Sequence, residues 1–417
     1  MTSSPGIRWM DRHLGSLICL FLSGAGRFMP KTKNVEPQKV RNILLIELFE
    51  MGASIMTYPA VLYLREQAPH ARIHVLTTRS IRPSWLKISE IDPDCVHGLE
   101  ERSVLSFLLS FWRIRRKLNR LPLDLVIDFE LFFRITAIFS FFLKAKRRGG
   151  FQRYHLEGLY RGSVYDTGCH FNQNSHISRN FLALTKTVFN GTHNLPEHKG
   201  AIGLEELRVG SYRSQKAVRL GLESKILGFF SSPYFLVAPD VGPNLPVRNY
   251  PLDRLQIVIR KLLEDFPDHQ VGLIGTKENR GPCESLRNQV GGSRVVVLAG
   301  VTNMDELFEL LLEARLLISN DNGPIHFAAL TQTPTLALFS TDSPFVYGPL
   351  GKSVILYSYF QCSPCIMAYN HKQSDCTDNK CLQAIPLEAV LDLARRMLKR
   401  DSGICYRTIN NQSPYLT

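Results

Sequence analysis

No run of apolar residues in this 417-residue chain reaches the roughly 18–20 needed to cross a bilayer, which excludes a polytopic membrane protein. Cysteine is sparse, with nine in total, too few for a scaffold built on disulfides. There is no repeat at solenoid periods and no low-complexity tract. No Gly-x-Gly-x-x-Gly follows the first strand-like run, which argues against a nicotinamide oxidoreductase. Acidic residues are in deficit, 37 Asp+Glu against 50 Lys+Arg, leaving a formal charge of +13. Such a balance favours an anionic partner: a phosphorylated metabolite, an acidic membrane surface or nucleic acid. No DNA- or RNA-binding motif accompanies the charge, so no nucleic-acid partner is expected.

What is present is the composition of a soluble globular protein, 44% hydrophobic and 21% charged. The length predicts two or three domains. Arg8 and Arg12 precede a nine-residue apolar stretch, Leu14–Leu22, with small residues after it. That is a weak secretory pattern, read here as a disordered or membrane-contacting leader. Pro30–Lys39 reads as a linker, so the folded body is expected from Val40. Basic clusters at Arg113–Lys117 and Lys144–Arg148 each follow an apolar segment. A helix with one end near anionic headgroups shows this pattern, and so does a buried helix with a solvated end.

From Asn42 strand-like and helix-like segments alternate. Asn42–Glu47, Arg72–Thr77 and Leu123–Asp128 read as strands, and Ser54–Gln67 as a helix that Pro59 kinks. The alternation lapses over 150–228 and restarts. Tyr234–Ala238, Gln270–Gly275, Val295–Leu298 and Leu316–Ser319 read as strands, with helices over Leu252–Phe266, Glu278–Val290 and Asp305–Ala314 between them. This predicts an α/β protein of two doubly wound, Rossmann-like domains facing across a cleft. The expected divisions are a leader (1–39), an N-terminal domain (40–215), a C-terminal domain (216–400) and a tail (401–417).

The most informative segment is Leu317–Leu330. A strand ends near Ser319. Asn320, Asp321, Asn322 and Gly323 make a tight turn, and a helix runs from Pro324, a residue suited to a first helical turn. Backbone donors at such a helix start can hold a phosphate. Asp321 and His326 add a carboxylate and an imidazole. An Asx-capped helix with a buried histidine accounts for the same residues.

The segment Asn320–His326, with Pro334–Phe339, Ser343-Pro344 and Gly348-Pro349 after it, resembles glycosyltransferase family 9, the heptosyltransferases of lipopolysaccharide core synthesis and their relatives. Ala299-Gly300, Asp305–Leu307, Gly275 with Glu278, Pro246–Pro251, Ile43–Gly52, Tyr58–Ala60 and His176–Asn180 extend the resemblance in order over about 40–395. It implies a GT-B fold and inverting transfer of a sugar from a nucleotide donor such as ADP-heptose to a lipid-linked or phosphorylated saccharide. It implies no catalytic metal, and a cytoplasmic enzyme with peripheral contact to the inner membrane left open. By matching motif, Asp321, Asn322, Gly323 and His326 belong to the donor site, Arg248 contacts phosphate, and Glu278 accepts from ribose hydroxyls.

One departure matters. The family carries Gly-Asp in its first loop, with that aspartate as the base; here the pair is Gly52-Ala53. Glu50, three residues before Ala53, is the expected replacement, with Glu47 as the weaker alternative. The same departure motivates a rival reading, a catalytically silent nucleotide-sugar-binding or scaffold protein of this fold. Cys362, Cys365, Cys376 and Cys381 fall within 20 residues, enough thiolates for a structural zinc, though reduced thiols and disulfides stay open. Cys19, Cys95, Cys169, Cys283 and Cys405 read as packing residues.

Overall fold

The computed structural model describes residues 9–26, 35–131, 133–151, 161, 164–192, 207, 209–210, 212–242, 246–366 and 374–411. Parts of the expected leader (1–8, 27–34), of the link between domains (193–206) and of the tail (412–417) lie outside them. The chain divides into two compact units, one of residues 1–210 and 368–372, the other of 211–367 and 373–417.

The first unit begins with a helix. A π-helical turn, Asp11–Gly15, runs into α1, Ser16–Gly26. The elements that follow are β1 (Asn42–Ile46), α2 (Met51–Met56), α3 (Tyr58–Gln67), β2 (Arg72–Thr78), α4 (Arg82–Trp85), β3 (Val96–Leu99) and α5 (Val104–Leu118). Then come β4 (Leu123–Asp128), α6 (Ile135–Phe142), β5 (Ala145–Phe151), β6 (Thr167–Cys169) and α7 (Ile177–Asn190). The sheet is parallel, in the order β3-β2-β1-β4-β5-β6. β1 and β4 are buried almost throughout, as strands covered by helices on both faces must be. Leu44, Ile46, Val126, Phe107, Phe111 and Phe139 fill one face, where Phe111 and Phe139 stack at 3.6 Å.

The second unit contains α8 (Lys216–Lys225), β7 (Tyr234–Ala238), α9 (Leu252–Asp265), β8 (Gln270–Leu273), α10 (Arg280–Val290), β9 (Val295–Val297) and α11 (Met304–Glu313). It continues with β10 (Leu317–Asn320), α12 (Gly323–Thr331), β11 (Thr335–Phe339), α13 (Pro344–Tyr347), β12 (Ser353–Tyr357), α14 (Lys380–Gln383), α15 (Leu387–Leu398) and β13 (Thr408–Asn411). Its sheet is also parallel, ordered β13-β12-β11-β10-β7-β8-β9. Phe235, Val237, Ile259, Leu336, Leu338 and Leu356 anchor its core. Two parallel, doubly wound sheets are the fold class expected from the alternation.

Several local readings change. The stretch taken as a leader is helical over Asp11–Gly26 and belongs to the first unit. Cys19 and Leu22 pack against Ala137 and Phe141 of α6. The Asp11 carboxylate accepts from the backbone N–H of Arg134 and Ile135, at 3.0 Å each, so a distant segment caps the start of α6. The expected 54–67 helix is two helices, α2 and α3, with Pro59 in the first turn of the second. The basic run Lys144–Arg148 is not a helix end: from Ala145 on it is strand β5. There Arg147 donates to the carbonyls of Val188 and Phe189, Arg148 pairs with Asp166, and Lys146 pairs with Asp124. β5 can lie tight against α7 because Gly149 lacks a side chain, where a Cβ would collide with Val188; at Gly150 a Cβ would collide with Tyr165.

Candidate functional site

In each sheet the connections after two adjacent strands run in opposite directions, and there the carboxyl ends of the strands leave room for a ligand. In the second unit this switch point lies between β7 and β10. Residues from three loops meet there. Arg248 lies in a 3-10 turn, Pro246–Arg248, between β7 and α9. Its Nη1 stands 3.7 Å from Asp321 Oδ2, just after β10, and its Nη2 bonds Asp342 Oδ2, three residues after β11. Asp321 and Asp342 are both buried. Asn320 fixes the turn: its Oδ1 accepts from Tyr250 N–H at 2.9 Å, and its Nδ2 donates to the Pro239 carbonyl at 2.9 Å.

Asn322 takes the N-cap position of α12, yet its side chain does not cap the helix; its Oδ1 accepts from the Ser319 hydroxyl at 2.7 Å. The first-turn N–H groups of α12 therefore remain available to an anion. Gly323 opens the helix. A Cβ there would meet only Phe327, at an ordinary 3.4 Å, so the fold does not demand glycine at this point. Glycine here lets another group approach the backbone closely. His326 is buried one turn into the same helix. The structure thus brings together Arg248, Asp321, Asn322, Gly323 and His326. Sequence reasoning missed Asp342, which carries no local signal: 94 residues separate it from Arg248.

Glu278 sits in the loop after β8, in a 3-10 turn, Lys277–Asn279, and is exposed. Hydrogen bonds from the Thr276 side chain and from its own backbone hold its carboxyl below the usual range. Its neighbour Asn279 is buried and donates to Asp240 Oδ2 at 3.0 Å, while Asp240 Oδ1 accepts from Gly242 N–H and Asn249. These donors hold the Asp240 carboxyl below its ordinary value although burial opposes them. Asp240 thus braces the β7 and β8 loops against one another.

In the first unit the switch point lies between β1 and β4, and three carboxyl groups gather there. Glu47 follows β1, Glu130 follows β4, and Glu50 is the N-cap residue of α2. Glu47 and Glu130 are buried, whereas Glu50 is half-buried. Glu47 Oε1 accepts from the Glu50 N–H at 2.9 Å, and Glu130 Oε2 from the Leu48 N–H at 3.2 Å. Burial and the charge of Glu130 push the Glu47 carboxyl well up. Burial and the charge of Glu50 push Glu130 up to about 8. Gly52 and Ala53 lie in the first turn of α2, with Ala53 buried. Behind this group Arg161, wholly buried, pairs with Asp128 at 2.8 Å and donates to the Glu130 carbonyl.

A stability prediction follows from Glu130. Its folded pKa lies above its unfolded value of about 4.5, so the native state holds a proton that the unfolded chain has released. That contribution is complete below pH ~4.5 and is lost as pH rises towards 8. Glu130→Gln, which mimics the protonated form, should flatten the loss. Thermal unfolding at pH 8.5 should show the variant's Tm higher by ~2–4 °C or more, the equivalent of about 1 kcal/mol; an unchanged Tm difference between pH 5 and pH 8.5 would refute it.

The four late cysteines differ in exposure: Cys362 and Cys376 are exposed, Cys365 is half-buried and Cys381 is buried. None of the nine cysteines, all of them among the described residues, is joined in a disulfide. Among the described residues no group of three or more His, Cys, Asp or Glu converges as metal ligands would. Cys19, Cys95, Cys169 and Cys283 are buried packing residues, but Cys405 is exposed.

Residues 111–374 match the family described as Glycosyltransferase family 9 (heptosyltransferase). The chain belongs to that family. It is a glycosyltransferase of the heptosyltransferase-like kind. It is similar to the lipooligosaccharide heptosyltransferase 2 of Haemophilus influenzae, 24% identical over 321 residues that make up 74% of this chain and 86% of that protein. The enzyme of the same name from Haemophilus ducreyi is 24% identical over 327 residues, 75% of this chain and 87% of the relative. Among solved structures, a family 9 glycosyltransferase from Veillonella parvula superposes with a TM-score of 0.69 at 17% identity, covering 88% of this chain and 99% of that one. The ADP-heptose LPS heptosyltransferase II of E. coli gives 0.64 at 17% identity, covering 87% and 100%. These likenesses establish the GT-B fold.

Proposed function

We propose that this glycosyltransferase moves a heptose-type sugar, with inversion, from a nucleoside-diphosphate donor to a saccharide of the lipopolysaccharide core, without a metal. The observation that carries the reading is the second unit's switch point, where Arg248 is bracketed by Asp321 and Asp342 beside the uncapped start of α12. In this reading the first-turn N–H groups of α12 and the Arg248 guanidinium hold the diphosphate. Glu278 accepts from the ribose hydroxyls. The first unit serves the acceptor. A hydroxyl oxygen of the acceptor attacks the anomeric carbon while its proton passes to the Glu50 carboxylate. The new C–O bond forms as the anomeric C–O bond to phosphate breaks, and that electron pair leaves with the nucleoside diphosphate. Relatives named for heptosyl transfer support the choice of sugar and acceptor.

The direct test is a thermal-shift screen of nucleotide sugars, followed by incubation of the stabilising donor with a core saccharide and NMR assignment of the product's anomeric configuration. ADP-heptose should stabilise the protein and yield an inverted linkage. A retained configuration, or transfer only from an unrelated donor, would overturn the proposal. Asp321→Ala and His326→Ala should each weaken donor use with the fold intact by circular dichroism; unchanged kinetics in both would displace the donor site.

A further inference from the structure

The apolar surface of the first unit is concentrated on two helices. On α1, Leu17 is 62% and Phe21 75% exposed, and on α5 Leu105 and Leu109 project into solvent as well. Between these helices runs a groove of about 350 Å³ with almost wholly apolar walls, formed by Leu14, Ile18, Leu108, Trp112, Phe142 and Phe49. That volume falls in the range of small-ligand sites, roughly 300–1,000 Å³. The groove's inner wall is Phe49, held against Phe133 at 4.4 Å, and the next residue is Glu50.

The exposed charges on these two helices have one sign. Arg113, Arg116 and Lys117 are exposed in the last turns of α5, and Arg12 is exposed beside α1. α5 contains no acidic residue. Asp11, the acid of the N-terminal helix, is spent on Arg134 and the start of α6. Among the described residues no helix is long and apolar enough to cross a membrane, so these helices would lie in the plane of an interface. Apolar side chains backed by basic ones suit an anionic leaflet, where the chains enter the acyl region and the cations meet phosphates. In the other basic run Lys146, Arg147 and Arg148 are paired within the unit.

We propose that α1 and α5 dock the protein on an anionic phospholipid leaflet and that the groove between them seats one acyl chain, ending at the acceptor loop beside Glu50. The docking rests on these helices alone. Its consequence, an acceptor presented from the same leaflet by its lipid, rests on the function proposed above. Vesicle binding measured without donor or acceptor separates the two failures.

The experiment is flotation with phosphatidylethanolamine vesicles, with and without phosphatidylglycerol, followed by quenching with acyl-brominated phosphatidylglycerol. The chain has three tryptophans, Trp9, Trp85 and Trp112, of which Trp85 is fully buried. Wild type should float only with phosphatidylglycerol present. Leu17→Glu with Phe21→Glu, both at exposed positions, should fold normally and bind at least ~10-fold more weakly. Arg113→Ser and Arg116→Ser should cost ~5-fold each. In a Trp9→Phe background the brominated lipid should quench emission, and Trp112→Phe should abolish that quenching. Absence of flotation would overturn the proposal, as would undiminished binding by the double glutamate variant or quenching that ignores Trp112. A wild-type dimer that the glutamates dissociate would instead assign the face to a second copy.

Discussion

Glu50→Gln is expected to lower kcat by at least ~10²-fold while the donor binds as in wild type, because removing a positioned general base typically costs 10²–10⁴-fold. Of the three carboxyl groups at the first unit's switch point, Glu50 is the one with solvent access. Glu47 and Glu130 are pushed towards their protonated forms by burial and by neighbouring negative charge. Glu130, raised to about 8, already holds its proton at neutral pH and cannot take another. Both also use one oxygen to accept a backbone N–H, which fixes them as supports for the loop. The glutamine forms of Glu47 and Glu130 should therefore keep activity within about tenfold, since the amide oxygen can still accept the loop N–H that each carboxyl holds. Kinetics in which Glu130→Gln fails as badly as Glu50→Gln would transfer the role to the buried pair. Ala53→Asp should restore part of the rate to Glu50→Gln, because position 53 lies in the first turn of α2, where a carboxylate also suits the helix dipole. If wild type and Ala53→Asp both bind the donor and neither transfers sugar, the silent-binder reading takes over.

The legible part of the fold was the part with strong periodicity. β1, β4, β7 and α9 lie close to where their apolar patterns put them, since a parallel strand buried on both faces must be a continuous apolar run. The turn at Asn320–Gly323 was legible because capping residues and Pro324 carry local signals. Glu130 and Asp342 were not. Glu130 follows β4, which pairs with β1 although 82 residues separate Leu48 from Glu130; Asp342 follows β11, which β10 separates from β7, and 94 residues lie between it and Arg248, so only the strand order brings each pair together. The N-terminal segment is helical rather than disordered, and its sequence does not show this because a short apolar run between basic residues looks the same whether it leads nowhere or docks. Its docking depends on Asp11 reaching Arg134, a contact across 123 residues. Lys144–Arg148 was misread for a related reason. Four basic residues in five suggest a solvated end, but long side chains can carry their charge from a strand to acids and carbonyls at its edges.

Arg248→Ala is expected to lower kcat/KM for the donor by roughly 10–100-fold, with KM raised and kcat reduced. The lost contact alone accounts for about 1.5–3 kcal/mol, the worth of a hydrogen bond to a charged group. The surroundings add to it. Asp321 and Asp342 are buried, and Arg248 is the cation between them. Without the guanidinium, two carboxyl groups face an incoming diphosphate at the start of α12, and the helix dipole has more repulsion to offset. Arg248→Lys should recover only part of the loss, because an ammonium is a point charge and cannot bridge Asp342, Asp321 and a phosphate in one plane. Asp342→Asn supplies the contrast. It keeps the cation but loosens its tether, so it should cost less than Arg248→Ala and should not add fully to it in the double variant, since both act through one ion pair. Full activity in Arg248→Ala, or strictly additive losses in the double variant, would move the diphosphate site away from this switch point.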